Sequence, residues 1–204
     1  MKKNRLKIAI QKKGRLRESS LNFLTSCGLK FIPNGCSLIQ KSEQGEIDLI
    51  FLRDDDIPEY VSRGIVDFAI IGRNVLLEKQ MAAKTIRELN FAKCVLLIAV
   101  PINSLIKKPK DLNNKRIATT YPQLLKQYLI KNNINSTIIQ ISGSVEITPE
   151  LDLADAICDI VQTGNTLKIH KLKPIDNILE SQALLVTNNS MNYAKQKLKE
   201  LLLK

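Results

Sequence analysis

Short apolar segments alternate with amphipathic ones along almost the whole chain, and this alternation restricts the fold more than any other feature. Residues 6–10 (LKIAI) are typical of a buried strand, and residues 15–27 carry apolar side chains at helical spacing up to Gly28. The same patterns predict strands at 38–41, 47–52, 68–71, 94–100, 116–120, 137–141 and 177–186. They also predict one helix that begins at 56, a second that continues to 77, and two more at 122–131 and 191–203. Strands that alternate with helices indicate an α/β fold.

The length of 204 residues fits one large or two small domains. A boundary is predicted near Asn90, where a second series of strands and helices begins. The long strand predicted at 177–186 would return the chain to the first series. This organisation predicts two α/β lobes with a cleft between them, which is a common place for a ligand.

The chain is strongly basic, with 31 Lys and Arg against 20 Asp and Glu and a formal charge of +11. A lysine-rich surface that maintains solubility, an anionic small ligand, and nucleic acid are three possible reasons. The lysines are spread along the chain, and no basic run is interleaved with aromatic residues that could stack on bases. We therefore expect no nucleic-acid partner.

The apolar segments are too short for a membrane protein. The longest, CVLLIAVPI at 94–102, cannot span a bilayer, and the basic N-terminus lacks the apolar core of a signal peptide. The four cysteines include no C-x-x-C pair, and His170 is the single histidine, so an ordinary structural zinc site is excluded. We expect a cytoplasmic protein with no membrane partner.

The segment QKKGRL at 11–16 follows the first predicted strand and opens the first helix. Gly14 allows the backbone to approach a ligand closely, and the N–H groups of a helix start favour an anion. Arg15 can donate two hydrogen bonds to a phosphate, while Lys12 and Lys13 add positive charge. An ordinary polar loop with a glycine turn is the alternative.

Two further segments, RDDDIP and DFAIIG, also follow or form predicted strands. Ligands of open α/β sheets gather at the carboxyl ends of strands, which makes Arg53 a candidate for the cleft. Asp56 is expected to cap the helix that follows, and the other two acids of the run are expected to be solvated.

The segment from SGSVE to TGNTL, residues 142–167, has the richest chemistry. Asp155 and Asp159 lie four residues apart and would share one face of a helix, where carboxylates could accept hydrogen bonds from a ribose. The hydroxyls and N–H groups of Thr163–Thr166 can surround a phosphate. A helix capped by Thr163 is the alternative, and it uses the same donors.

Taken together, QKKGRL, RDDDIP with DFAIIG, SGSVE, and ADAICDIVQTGNTLK resemble, in that order and over nearly the whole chain, the ATP phosphoribosyltransferase family. The resemblance implies that N1 of ATP attacks C1 of 5-phosphoribosyl diphosphate and releases pyrophosphate. It implies Mg²⁺ carried by the diphosphate, without direct protein ligands. It also implies a two-lobed, periplasmic-binding-protein-like (type II) α/β architecture with mixed sheets, with lobe I at 1–90 plus 182–204 and lobe II at 91–181.

The resemblance also implies roles for individual residues. Arg15 and Glu146 are implied to be catalytic, with alignment and charge stabilisation contributing more than any general base. The residues implied to bind phosphoribosyl diphosphate are Asp155, Asp159, Thr163, Gly164, Asn165, Thr166 and Leu167. Those implied to bind ATP and phosphates are Gln11, Lys13, Gly14, Arg15, Arg53 and Gly72.

The family resembled has a long form with an extra regulatory domain, whereas this sequence stops after the helix predicted at 191–203. The expectation is a short form that forms homodimers and works with a regulatory subunit similar to histidyl-tRNA synthetase, in a hetero-octamer. The chain departs from the family at Cys36-Ser37, where a basic residue is usual, and at Ala69, Arg73 and Asn165.

Two other functions compete with this one. A nucleobase phosphoribosyltransferase also has an acid-rich strand before a TGGT loop, but it places two adjacent acids where this chain has Cys158-Asp159. A non-catalytic nucleotide-binding protein is the second alternative, because two-lobed folds of this kind often bind solutes.

Overall fold

Two mixed β-sheets organise the chain, one in each of two units. The computed structural model describes residues 5–33, 35, 37–188 and 192–203. Unit 1 comprises Met1–Ala92 with Gln182–Lys204, and unit 2 comprises Lys93–Ser181. The predicted lobe boundaries at 90/91 and 181/182 lie close to these divisions. No helix of the described residues is long and apolar enough to cross a membrane.

In chain order, the elements are β1 Leu6–Gln11, α1 Arg15–Ser26, β2 Ile39–Lys41, β3 Ile47–Leu52, α2 Ile57–Ser62, β4 Phe68–Gly72, α3 Arg73–Glu78, β5 Lys84–Glu88, β6 Cys94–Pro101, β7 Arg116–Thr119, α4 Pro122–Lys131, β8 Thr137–Gln140, β9 Ala156–Val161, α5 Asn165–Ile169, β10 Leu172–Ser181, β11 Ala183–Thr187 and α6 Tyr193–Leu202. Two 3₁₀ turns lie at Pro109–Leu112 and Val145–Ile147.

The sheet of unit 1 has the strand order β2-β3-β1-β4-β11-β5. Strands β3, β1 and β4 are parallel, and β11 is antiparallel to both β4 and β5. Apolar side chains cover both faces: Ile8 and Ile10 pack with Leu24 of α1 on one side, whereas Ala9 packs with Ile57 on the other. Alternate strand residues face opposite ways, so this distribution buries the sheet between helices.

The sheet of unit 2 has the strand order β10-β6-β9-β7-β8, in which β9, β7 and β8 are parallel. Ala156 and Cys158 of β9 pack with Leu125 of α4 on one face. Ile157 packs with Leu167 of α5 on the other face. The alternation along β9 therefore directs Asp159, two residues after Ile157, to the face that carries α5.

Helix α6 is attached to unit 1 by a buried ion pair. Lys195 Nζ lies 2.9 Å from Asp67 Oδ1 and donates to Asn188 Oδ1 at 3.1 Å, and the Lys195 side chain is only 7% exposed. Asn192 caps the helix by accepting from the Lys195 backbone N–H at 2.9 Å. Loss of one partner from a buried pair leaves an uncompensated charge, so this contact fixes the chain end to the sheet.

Most predicted elements are confirmed, two expectations are wrong, and one strand was missed. The strand predicted at 177–186 is two strands, β10 and β11, that belong to different sheets and are separated by Gln182. Strand β5 was not predicted. Asp56 occupies the N-cap position of α2, but its side chain makes no capping hydrogen bond. The apolar segment before TGNT, whose two acids would share one face on a helix, forms strand β9 instead. Met191 of the predicted closing helix and Cys36 lie outside the described residues.

Candidate functional site

In unit 2, the SGSVE and TGNT segments lie at the same edge of the sheet. SGSVE follows β8 and TGNT follows β9, and both strands run parallel to β7, which lies between them. Parallel strands bring their carboxyl ends to one edge, which is where α/β proteins bind ligands. The short loop that follows β7, at Thr120, lies at the same edge as the SGSVE and TGNT segments. No sequence motif in that loop indicated a site.

The TGNT segment forms a tight turn with exposed polar side chains. Gly164 has φ +75° and is the N-cap of α5, a backbone conformation that side chains rarely adopt. Thr163, Asn165 and Thr166 are exposed, whereas Leu167 is buried in the core and anchors the turn. The alternative of a capped helix that starts at Thr163 does not hold, because α5 begins at Asn165. The cap is a glycine, which has no side chain to accept from the first N–H groups of the helix.

Asp159 is a half-buried carboxyl group just before this turn. Burial raises its pKa to about 6, and repulsion from Glu146 adds to the rise, while the Ile160 backbone N–H opposes it. Glu146 belongs to the Val145–Ile147 turn, which contacts β9. The structure therefore brings Asp159 and Glu146 together, and the ionised form of Asp159 is disfavoured in the absence of a ligand.

Asp155 lies at the opposite end of β9, and the structure does not bring it to the TGNT turn. The four residues from Asp155 to Asp159 span about 13 Å in a strand. Asp155 Oδ2 accepts from the Arg116 backbone N–H at 2.8 Å, and Asp155 Oδ1 lies 3.2 Å from Arg116 Nη2. The Arg116 hydrogen bond is the main reason that the pKa of Asp155 is lowered. The shared helical face that would place Asp155 beside Asp159 is not formed, so the structure gives no support to the phosphoribosyl diphosphate contact that the resemblance implied for Asp155.

In unit 1, three predicted residues end adjacent strands. Gln11 ends β1, Arg53 follows β3, and Gly72 ends β4, and these strands are parallel neighbours in the order β3-β1-β4. The Lys12 N–H donates to the Leu52 carbonyl at 2.7 Å, which joins the ends of β1 and β3. The residues predicted to bind the nucleotide therefore lie at one edge of this sheet.

The loop between β1 and α1 exposes positive charge at this edge. Gly14 has φ +88°, and no atom lies within 4 Å of the position that a Cβ would occupy, so backbone conformation rather than space requires glycine there. Lys12, Lys13 and Arg15 are exposed, and Arg15 is the first residue of the 12-residue helix α1. The loop can therefore present cations and a helix N-terminus to an anion.

The close approach of the Asn74 side chain requires glycine at position 72. A Cβ at Gly72 would lie 2.5 Å from Asn74 Oδ1, and its φ of −68° is ordinary, so any side chain would displace the buried Asn74. Ala69, where the resembled family usually has Gly, is fully buried within β4.

The structure adds a cluster that the sequence did not indicate. Arg73 forms an ion pair with Glu88, and Gln182 Nε2 donates to the other oxygen of that carboxylate. The Arg73 backbone N–H donates to the Gln182 carbonyl at 2.9 Å. Gln182 lies beside Gly72 because Ala183 pairs with Gly72. The sequence did not indicate this position for Gln182, because it is a polar residue within a segment predicted to be one continuous strand.

No three His, Cys, Asp or Glu side chains of the described residues are grouped so that they could hold a metal ion. His170 is the C-cap residue of α5 and is half-buried. Cys27 and Cys158 are buried thiols, whereas Cys94, predicted to be buried, is half-buried.

These features define a class: a two-unit α/β protein with a periplasmic-binding-protein-like fold and a glycine-capped turn at a strand end. A sensor domain of a histidine kinase with similarity to periplasmic binding proteins shares the fold, with a TM-score of 0.63, 10% identity, and coverage of 98% of this chain and 89% of that one.

The family model for ATP phosphoribosyltransferase, HisG, matches residues 53–204. An ATP phosphoribosyltransferase from Cytophaga hutchinsonii is 44% identical over 191 residues, which cover 94% of this chain and 67% of that protein. The chain thus belongs to the ATP phosphoribosyltransferase family. It spans about two thirds of the length of the curated relatives it matches.

A solved structure, the ATP phosphoribosyl transferase (HisG:HisZ) complex from Thermotoga maritima, contains a similar chain. The TM-score is 0.83 at 31% identity, and the match covers 97% of this chain and 96% of the Thermotoga chain.

Proposed function

We propose that this chain is the catalytic subunit of an ATP phosphoribosyltransferase, which transfers the 5-phosphoribosyl group of phosphoribosyl diphosphate to N1 of ATP in the first step of histidine biosynthesis. Membership of the family supports this reaction. The observation that carries the proposal is the turn after β9, in which an αL glycine and exposed Thr163 and Thr166 follow a carboxyl group of raised pKa.

Unit 2 binds phosphoribosyl diphosphate in this proposal. The hydroxyls of Thr163 and Thr166, the side chain of Asn165 and the N–H groups around Gly164 surround the 5-phosphate, as in a backbone nest. Leu167 supports the turn from the core. Asp159 and Glu146 accept hydrogen bonds from the ribose hydroxyls, which are neutral donors that suit a pair of neighbouring carboxyl groups.

Unit 1 binds ATP. Lys13, Arg15 and the N–H groups after Gly14 contact phosphates, and Arg53 supplies a further guanidinium at the same edge. Gln11 and Gly72 line the nucleotide. The exposed positive charge of the β1–α1 loop supports this assignment.

Mg²⁺ would be held by the diphosphate rather than by direct protein ligands, and it would supply positive charge that neutralises the leaving group. The described residues fit this arrangement, because they offer a pair of acids at most and Mg²⁺ commonly binds one or two carboxylates together with substrate phosphates.

The reaction forms a bond between N1 of adenine and C1 of the sugar while the bond from C1 to the diphosphate oxygen breaks. The electron pair leaves with the diphosphate, and the alkylated adenine releases its extra proton from the amino group to solvent. The protein aligns N1 with C1, and Arg15 stabilises negative charge on the phosphates. Glu146 orients the ribose, and no strong general base is required.

The partner is a HisZ-type subunit, similar to histidyl-tRNA synthetase, in a hetero-octamer built on dimers of this chain. The likeness to the chain of the Thermotoga HisG:HisZ complex, over 96% of that chain, supports this proposal. A cytoplasmic location accompanies it as a prediction.

The test is pyrophosphate release from ATP, phosphoribosyl diphosphate and Mg²⁺ by the chain alone and with a HisZ-type subunit. We expect turnover that the second subunit increases. Turnover with a free nucleobase instead of ATP would indicate a salvage enzyme. Tight ATP binding without product, with or without the subunit, would indicate a binding protein.

A further inference from the structure

Gln182 carries a buried acceptor that has no donor. Its Oε1 atom is inaccessible to solvent, and no donor of the described residues reaches it. A buried amide oxygen without a hydrogen bond costs about 1–3 kcal/mol, and native structures contain few such groups. An unsatisfied acceptor at the edge of a proposed substrate site is a candidate for a contact with the substrate.

The orientation of this amide is fixed by Glu88. Gln182 Nε2 donates to Glu88 Oε2, and the other carboxylate oxygen is ion-paired with Arg73. If the amide were reversed, its oxygen would face the carboxylate, and two acceptors would repel each other. Glu88 therefore keeps the nitrogen on its own side and the oxygen of Gln182 turned away from it.

Gln182 lies at the edge of the sheet that we assign to ATP. Ala183 pairs with Gly72 at the carboxyl end of β4, and the Arg73 N–H donates to the Gln182 carbonyl at 2.9 Å. All of these residues belong to unit 1. The position of Gln182 thus follows directly from its backbone contacts to the turn that begins at Gly72.

Charge changes along this edge in the order of the strands. The β1–α1 loop carries Lys12, Lys13 and Arg15, and the end of β3 carries Arg53 followed by the acids of residues 54–56. At β4 and β11 the charge of Arg73 is balanced by Glu88. Phosphates favour the cationic end and an uncharged base favours the balanced end. Strands β1 and β11 are two positions apart, about 10 Å, a distance that a nucleoside triphosphate can bridge.

We propose that Gln182 is a specificity-determining residue that accepts a hydrogen bond from the amino group of the adenine base, and that Glu88 is a positioning residue that holds its amide in the correct orientation. The inference rests on the proposed function, since it assumes ATP at unit 1. Adenine presents a donor at this position, whereas hypoxanthine presents a carbonyl oxygen, which would face another acceptor.

The test measures binding of ATP and of inosine triphosphate to the full chain by calorimetry, with Mg²⁺ and without the sugar donor. The wild type should bind ATP at least about tenfold more tightly than inosine triphosphate. Gln182→Met should weaken ATP about tenfold and leave inosine triphosphate within about twofold, so that discrimination is lost. Gln196→Met is the matched control, because Gln196 also donates to a glutamate, Glu200, on the surface helix α6.

Glu88→Gln tests the positioning role independently of Gln182. The introduced amide can accept from Nε2 of Gln182 or donate to Oε1, so Gln182 becomes free to reverse. Discrimination should then fall about threefold or more while Gln182 itself is intact. This variant also covers the case in which Gln182→Met does not fold, which thermal unfolding reports.

The outcomes separate this inference from the proposed function. Wild-type protein that releases no pyrophosphate from ATP and phosphoribosyl diphosphate, with or without the second subunit, overturns the proposed function. Wild-type protein that turns over, together with Gln182 and Glu88 variants that keep the wild-type ratio of ATP to inosine triphosphate affinity, overturns only the inference and assigns Oε1 to a bound water.

Discussion

The two ends of strand β9 carry aspartates with opposite properties. Asp155, at the amino end, accepts from the Arg116 backbone and forms an ion pair with the Arg116 guanidinium, and its pKa is lowered. Asp159, near the carboxyl end, is half-buried beside Glu146, and its pKa is raised to about 6. One strand thus has a satisfied acid at one end and a disfavoured one at the other.

The opposite pKa shifts of these two aspartates predict a different role for each end of the strand. A carboxylate with a cationic partner stabilises the folded chain, whereas a buried carboxylate without one costs stability and is typical of a binding or catalytic site. The unfavourable acid lies next to the TGNT turn, at the edge where parallel strands bind ligands. Four changes test this division, from the largest expected effect to the smallest.

Asp159→Asn should have the largest effect. We expect turnover to fall by about a hundredfold or more, because a ribose contact is lost where the sugar must be aligned. The same variant should be more stable at pH 7, by at most about 3 kcal/mol, because ionised Asp159 is unfavourable above its pKa of about 6.

The stability gain should disappear as the pH falls through 6 towards 4, where Asp159 is protonated and neutral in the wild type as well. Thermal unfolding at pH 4, 6 and 7, with steady-state turnover at pH 7, measures both effects. A variant that is less stable at pH 7 would contradict the raised pKa.

Thr163→Val with Thr166→Val should weaken phosphoribosyl diphosphate binding by about tenfold to a hundredfold. Each hydroxyl that is lost removes a hydrogen bond with a net worth of about 0.5–1.5 kcal/mol, so the pair contributes about 1–3 kcal/mol. Both side chains are exposed, so the folded chain should be little affected. Calorimetric titration with the sugar donor is the measurement, and unchanged affinity would return the turn to a purely structural role.

Lowering the pH from 7.5 to 5 should weaken binding of the sugar donor by about tenfold through Asp159. With a pKa of about 6, roughly one tenth of Asp159 is ionised at pH 5, and only the ionised form accepts from both ribose hydroxyls. The phosphate of the ligand titrates in the same range, so Asp159→Asn is the control. An identical pH profile for the variant would exclude Asp159 as the cause.

Asp155→Asn should have the smallest effect on turnover, within about twofold. Its stability should fall by about 1 kcal/mol, because the partly exposed ion pair with Arg116 is lost while hydrogen bonds to the amide persist. Because the folded pKa is lowered, this contribution of Asp155 is present at neutral pH and is lost in acid. A large loss of turnover in a folded variant would place Asp155 back in the site.

The predictable part of the fold consists of elements whose apolar pattern is strong. Strands β1 and β6 and helix α4 are clear because burial on one or both faces requires continuous or periodic apolar residues. Strand β5 was not predicted because its sequence, KTIRE, has Ile86 as its one apolar residue. It is a strand at the sheet edge because it pairs with β11. The division of 177–186 depends on a change of sheet at Gln182, which leaves no local pattern.

The predictable part of the site consists of loops with glycine and hydroxyl or cationic residues. The TGNT turn and the QKKGRL loop stand at strand ends as expected. The four-residue spacing of Asp155 and Asp159 suits one face of a helix, but the buried run around Cys158 is equally compatible with a strand, and it forms one. Gln182 could not be found, because its importance depends on Glu88 and Gly72, which are distant in sequence and joined only by strand pairing.

Unit 1 is assembled from both ends of the chain, and this has a consequence for synthesis on the ribosome. Strand β4 cannot pair with β11 before residue 187 has been made, although β4 itself is complete at Gly72. Unit 2 is one continuous segment and is available in full first. The nascent chain therefore reverses the usual order, in which the N-terminal domain folds first. Its first sheet remains incomplete, with the β11 edge of β4 unpaired, until residues 183–187 emerge.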